Sequence, residues 1–158
     1  MHIRRGEPAE SDALADLWLR SRAAAAPSIP PTVHTDADVH RWFAEIVLPL
    51  REVWVADHLE AVVALMVLDQ DWIDQLYVDP ASTGRGIGGA LLEHAKRCRP
   101  AGLRLWTFQD NLGARHFYEA RGFVATVSTP GDNEEGEPDV CYEWRPVGPP
   151  GDPHAPAP

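Results

Sequence analysis

The chain has 158 residues, enough for one domain with a buried core, and its 44% hydrophobic and 24% charged residues are those of an ordinary globular protein. Twenty-four acidic against 14 basic residues give a formal charge of −10 with no run of Lys and Arg, which argues against a nucleic-acid partner. The longest apolar run, Ala61–Leu68, is far short of the ~20 residues that span a bilayer, and the opening MHIRRGEPAESDAL holds no signal-like stretch; no membrane partner and a cytoplasmic location are expected.

In chain order, His2–Arg5 reads as a short strand. Pro8 can open a helix in which Leu14, Leu17, Trp18 and Ser21 recur at helical spacing, until Pro27, Pro30 and Pro31 break it. Thr35 followed by Asp36 and Asp38 has the form of an N-cap with an acidic first turn. Val39, Trp42, Phe43, Ile46 and Val47 then mark an amphipathic helix ending near Pro49. From Arg51 the pattern becomes β-branched and aromatic: VWVAD, EAVVALMVL and WIDQLYVD, separated by polar turns at 57–60 and 69–71, predict a three-stranded meander. Asp69 and Asp71 are explained by the second turn and not as a magnesium pair. DPASTGRGIGGALLEHAK (79–96) is a glycine-dense loop leading into a helix with Ile87, Leu91, Ala95 and Cys98 on one face.

LRLWTF (103–108) is a further strand. Asn111 opens a helix through Ala114, Phe117 and Tyr118, which Gly122 stops. FVATVST and DVCYEW close the domain around the acidic loop GDNEEGEPD, and 146–158 is a Pro/Gly-rich tail. The order is strand, helix, helix, three strands, helix, strand, helix, two strands. It implies an α+β fold with a mixed sheet in a single domain over 1–145. Cys98 and Cys141 are too few for a disulfide framework. Neither they nor the scattered histidines have metal-ligand spacing, so no metal is expected.

Four glycines in six positions (Gly84, Gly86, Gly88, Gly89) mean that backbone must approach something closely. A Walker loop requires Gly-Lys-Ser/Thr at its end, where Gly88-Gly89-Ala90 stands. The dinucleotide pattern G-x-G-x-x-G is present as Gly84, Gly86 and Gly89, with Asp110 as the acidic residue further on. Pro80–Thr83, however, separates it from its strand, and half the chain precedes it. A Rossmann-type nucleotide-binding domain is therefore the weaker alternative.

LYVDPASTGRGIGGALL resembles the acetyl-CoA loop of the GNAT N-acetyltransferase superfamily, in which an apolar-x-Val-x-Pro strand end leads to an Arg/Gln-x-x-Gly-x-Gly/Ala turn. Asn111-x-x-Ala114-x-x-Phe117-Tyr118-x-x-x-Gly122-Phe123, about 25 residues on, is similar to that family's next helix. The resemblance covers about residues 1–145 and departs from the family at Thr83, which stands in the usual Arg/Gln position.

It implies a mostly antiparallel sheet with about four helices and one parallel pair, 72–79 and 103–109, splayed where acetyl-CoA, the cosubstrate, enters. Backbone groups of Leu76, Tyr77 and Val78 would meet the pantetheine arm. Amides of Gly84, Arg85, Gly86, Ile87, Gly88 and Gly89 would hold the pyrophosphate, with the Arg85 side chain nearby and positive φ expected at Gly84, Gly86 and Gly88. Asn111 would contact the coenzyme arm, and Tyr118 would protonate the coenzyme sulfur.

The base is less direct. Alternation along 71–78 sets Trp72, Asp74, Leu76 and Val78 on one face, and Asp74 is the nearest carboxylate to the family's usual acidic position at Trp72. His34, His40, Trp42, Phe43, Trp72 and Trp106 are candidates to border the acceptor. The implied reaction is direct acetyl transfer, in a ternary complex, to a primary amine on a small molecule or a peptide N-terminus. The implied assembly is a monomer or homodimer. A non-catalytic acyl-CoA-binding module is the other reading, and it would not need Tyr118.

Overall fold

A computed structural model describes residues 1–147. Its elements are β1 (His2–Arg5), α1 (Ser11–Ala24), α2 (Asp36–Trp42), a π-turn (Phe43–Val47) continuing into α3 (Leu48–Leu50), β2 (Glu52–His58), β3 (Ala61–Asp69) and β4 (Trp72–Val78). There follow α4 (Ile87–Cys98), β5 (Leu103–Phe108), α5 (Leu112–Glu119), β6 (Val124–Thr129) and β7 (Asp139–Trp144). The strands form one sheet in the order β1-β2-β3-β4-β5-β7-β6. Only β4 and β5 pair in parallel; the other neighbours are antiparallel. The fold is the mixed α+β sheet that the element order implies. Beyond Val147 the Pro/Gly-rich tail lies outside the described residues.

The sheet divides two cores. On one face α1 and α2 bury Leu14, Leu17, Trp18, Val39 and Phe43 against Leu65 and Val67. On the other, α4 and α5 bury Leu91, Leu92, Ala95 and Tyr118 against Ala64, Met66 and Leu68. Successive strand residues point to opposite faces, so β3 is apolar throughout because it supplies both cores.

Alternation breaks down in β4. Gln75 lies opposite Val67, but Ile73 lies opposite Leu68, so Asp74 has no cross-strand partner. It is a β-bulge, one extra residue that bends and twists the strand. Its effect corrects the expected pattern, because Ile73, not Asp74, shares the α4/α5 face with Leu76 and Val78. The parallel pairing of β4 with β5 is limited to Trp72 opposite Arg104, reinforced by Arg104 N–H to Asp71 O at 2.9 Å. Past the bulge the two strands part. Asp71 takes Arg104 and Asp69 takes Arg51 as ion-pair partners, in keeping with their place around a hairpin turn.

The second helix begins as its sequence implies. Thr35 Oγ accepts from Asp38 N–H and Asp38 returns the bond, a reciprocal cap on two otherwise unpaired donors. His40 does not border the acceptor side; its ring lies between two α1 carboxylates, Nδ1 2.8 Å from Asp12 and Nε2 2.9 Å from Asp16. The hydrogen bond to Asp12, supported by Asp16, raises the imidazole above its ordinary pKa against the opposing effect of desolvation. A raised folded-state pKa contributes stability that is complete below the unfolded value of ~6.5 and is lost as pH rises through the folded value. His40→Gln should therefore lower Tm by about 1–3 °C near pH 6, with the deficit closing toward pH ~9, as for an exposed ion pair. Thermal melts of both proteins across that range check it; a pH-independent difference would remove the pair from α1–α2 docking.

Candidate active site

Where β4 and β5 diverge, a cleft of about 100 Å³ opens, lined by Asp74, Gln75, Leu76, Leu105, Thr107, Asn111 and Tyr118 among others. One wall is an unpaired strand edge. Asp79 N–H donates to Val63 O of β3 at 2.8 Å, and N–H groups alternate edges along a strand, so those of Val78 and Leu76 point away from β3 into the gap. Tyr77, opposite Leu65, directs its backbone to β3, and its ring packs edge-on against Trp18 of α1. Of the three consecutive residues implied for the coenzyme arm, Leu76 and Val78 supply the open donors.

At the C-terminal end of β4, Asp79 turns the chain: its carboxylate accepts from Ala81 N–H and pairs with Arg20 at 2.7 Å. Gly84 and Gly86 have φ of +76° and +78°, and a Cβ on either would meet nothing within 4 Å, so the backbone is bare to solvent. Gly88 does not have the expected positive φ; it lies inside α4, where a Cβ would touch Phe117 and Val78 at 3.6 Å. The first helical bond is Ala90 N–H to Gly86 O at 3.0 Å, which leaves the N–H groups of Ile87, Gly88 and Gly89 ahead of the intrahelical ladder. The Ile87 side chain is core, Arg85 is exposed, and the Thr83 hydroxyl bonds back to Pro80 O at 3.2 Å. A second cation, missed in the sequence, stands by: a Cβ on Gly89 would lie 3.1 Å from Arg121 Nη2, and that guanidinium covers the Phe117 ring at 4.0 Å.

Across the cleft, Asn111 caps α5 by accepting from Ala114 N–H at 3.2 Å. Tyr118 is 8% exposed, and Phe117 and Phe123 pack edge-on around it. Burial pushes its phenol far above the ordinary value, so at neutral pH it is a proton donor only. Asp74 reaches solvent at the cleft mouth, yet the protein around it desolvates the carboxyl enough to raise its pKa, against a smaller lowering by the Gln75 amide. A carboxylate raised in this way is a better proton acceptor.

On the α1–α2 side a pocket of about 350 Å³ is lined by Trp18, Arg22, His34, Asp38, Trp42 and Glu135, with Gln75 shared with the cleft. Gln75 accepts from Trp18 Nε1 at 2.8 Å. Trp106 lines the cleft and stacks with Trp72, whereas Phe43 is fully buried and belongs to the core. Glu134, Glu135 and Arg22 carried no signal in sequence because 22 and 134–135 meet only through the fold.

A parallel pair thus splays over a glycine-led helix N-terminus, with a buried phenol facing the gap. An acetyltransferase (GNAT) domain model matches residues 49–125. The peptidyl-lysine N-acetyltransferase YjaB of Salmonella typhimurium is 32% identical over 127 residues, covering 80% of this chain and 85% of the relative. YiaC of Escherichia coli, of the same name class, is 28% identical over 121 residues, covering 77% and 82%. The solution structure of apo YjaB from Escherichia coli superposes with TM-score 0.73 at 26% identity, covering 90% of this chain and 96% of that one. YncA of Salmonella typhimurium, solved with its cofactor acetyl-CoA, shares the fold at TM-score 0.70 and 17% identity, covering 96% and 99%. The chain belongs to the GNAT family of N-acetyltransferases.

The left-handed turn generates a prediction. A valine at Gly86 costs ~1–2 kcal/mol in backbone strain, within what a domain tolerates, and sets a branched side chain over the bare amides. Gly86→Val should fold but bind acetyl-CoA at least ~10-fold more weakly by calorimetry, a loss of ~1.4 kcal/mol. Unchanged affinity in the folded variant would take the loop out of the site.

Proposed function

We propose that the protein transfers the acetyl group of acetyl-CoA to a primary amine, a peptidyl lysine in the first instance, by direct attack within a ternary complex. The observation that carries this reading is the β4 bulge: it opens an unpaired strand edge onto a cleft that holds a buried tyrosine and a raised carboxylate. The residues fit the family's cosubstrate. Bare amides and a helix N-terminus suit a pyrophosphate, with Arg85 and Arg121 adding charge, and the Leu76 and Val78 edge suits an amide-bearing arm. The names of YjaB and YiaC favour lysine over a peptide N-terminus.

Acetyl-CoA supplies an activated thioester. This chain's residues supply the rest. An N–H on the open edge of β4 stabilises the oxyanion as it forms. A lysine amine of pKa ~10.4 is almost wholly protonated at pH 7, so Asp74, directly or through water, accepts the proton that frees the lone pair for attack. As the C–N bond forms, the nitrogen loses its second proton to solvent, and as the C–S bond breaks Tyr118 donates its proton to the departing sulfur and is reprotonated from solvent. The products are an amide, a thiol and one net proton, the one that Asp74 took from the ammonium and returns to solvent. Trp18 holds Gln75 beside Asp74, at the junction of the cleft and the α1–α2 pocket.

Two variants test these roles. Tyr118→Phe keeps the packed ring and removes the donor, so kcat should fall ~10²-fold while acetyl-CoA affinity changes less than about threefold. Equal loss of both, with a lower Tm, would make the tyrosine structural; an unaltered kcat with chemistry limiting would give the proton to water. A base acts only when ionised, so the kcat/KM profile on a lysine peptide should rise with pH through the Asp74 pKa, above the usual ~3.9. Asp74→Asn should abolish that limb. A limb that persists would assign the base elsewhere.

A further inference from the structure

We infer that the acceptor lysine is presented in a basic peptide segment, whose neighbouring side chains occupy two acidic, aromatic-walled pockets on either side of the acetyl cleft. This deepens the lysine reading above and rests on it. The first pocket is the α1–α2 pocket, which shares Gln75 with the cleft. The second, about 440 Å³, shares Trp106, Thr107 and Phe108 with the cleft and meets the first pocket at Glu135. A side chain inserted between β4 and β5 therefore has open space on both flanks, as an extended peptide requires.

The charge of that space is one-sided. Asp38, Glu134 and Glu135 line the first pocket, and Asp132, Glu135 and Asp139 the second. Against them stand Arg22, 3.4 Å from Glu135, and His34, 2.9 Å from Glu134; among the described residues no cation lines the second pocket. Asp139 is held by Thr129 and Asn133, which leaves Asp132 as that pocket's outward carboxylate. Each pocket also presents an indole, Trp42 in one and Trp106 in the other, the latter 45% exposed where a tryptophan would usually be covered. An aromatic face beside carboxylates attracts a guanidinium or ammonium through both its quadrupole and the ionic field.

The cation of the first pocket is already engaged: Arg22 lies over the Trp18 ring, donates to Pro30 O at 3.0 Å and pairs with Glu135. A small polyamine of similar charge is a separate outcome of the test.

The test uses capped peptides in which lysine is the sole amine, flanked on both sides by Arg, by Ala or by Glu, together with spermidine. With acetyl-CoA, kcat/KM should fall in the order Arg, Ala, Glu, with at least ~10-fold between the extremes at low salt, narrowing as salt rises. Quenching of tryptophan fluorescence should give the same order of affinities without turnover. Glu134→Gln/Glu135→Gln should narrow the Arg-to-Glu ratio at least ~3-fold, and Asp132→Asn, which breaks no bond of the fold, should narrow it independently. Lysine peptides acetylated without regard to their flanks would overturn this inference and leave the lysine reading standing. So would spermidine outrunning the Arg-flanked peptide. Tight acetyl-CoA binding with no amine acetylated would overturn both.

Discussion

The site depends on one extra residue in a strand. Had β4 kept its register with β3, Asp74 would face one side of the sheet and β4 could continue its parallel ladder with β5. Instead the bulge at Asp74 follows directly on the single parallel bridge, Trp72 to Arg104, and the two strands separate. The ion pairs of Asp71 with Arg104 and Asp69 with Arg51 cluster around the hairpin at the closed end of the wedge. Separation leaves backbone donors of Leu76 and Val78 unpaired inside the protein, a state that structures tolerate where a ligand or solvent takes the bonds. The bulge thus makes the cleft, exposes the edge proposed to meet an amide-rich arm, and moves a carboxylate to the mouth.

The two ends of that cleft attract by different means. At the loop end, positive potential comes from fixed amides of the first turn of α4 and from two guanidinium groups, one exposed and one laid over Phe117. Toward the acceptor, carboxylates of Asp38, Glu134 and Glu135 dominate. Tyr118 lies between these fields, and burial holds its phenol far above its ordinary pKa. In the proposed reaction, these opposite fields would steer a cationic amine and a polyanionic coenzyme to opposite ends of the same gap. The excess of acids over bases, which in composition speaks only of solubility, acquires a location.

Sequence alone was sufficient for the order of elements. Helical and alternating periodicities mark α1, α2, α4, α5 and the strands, and Thr35 and Asn111 mark their helix starts, because caps and amphipathic faces depend on neighbours a few positions away. The glycine loop was legible for the same reason, since left-handed turns at Gly84 and Gly86 are local demands. The tertiary structure decided what depends on partners distant in sequence: the bulge that gives Ile73 the face expected for Asp74, the helical Gly88 packed on Phe117, His40 docked on α1, and Phe43 withdrawn into the core. It also brought Arg22, Gln75 and Glu135 to one pocket, across separations of up to 113 residues. Register and pocket walls are properties of pairs of segments, and a pattern read along one segment contains the periodicity but not the partner that interrupts it.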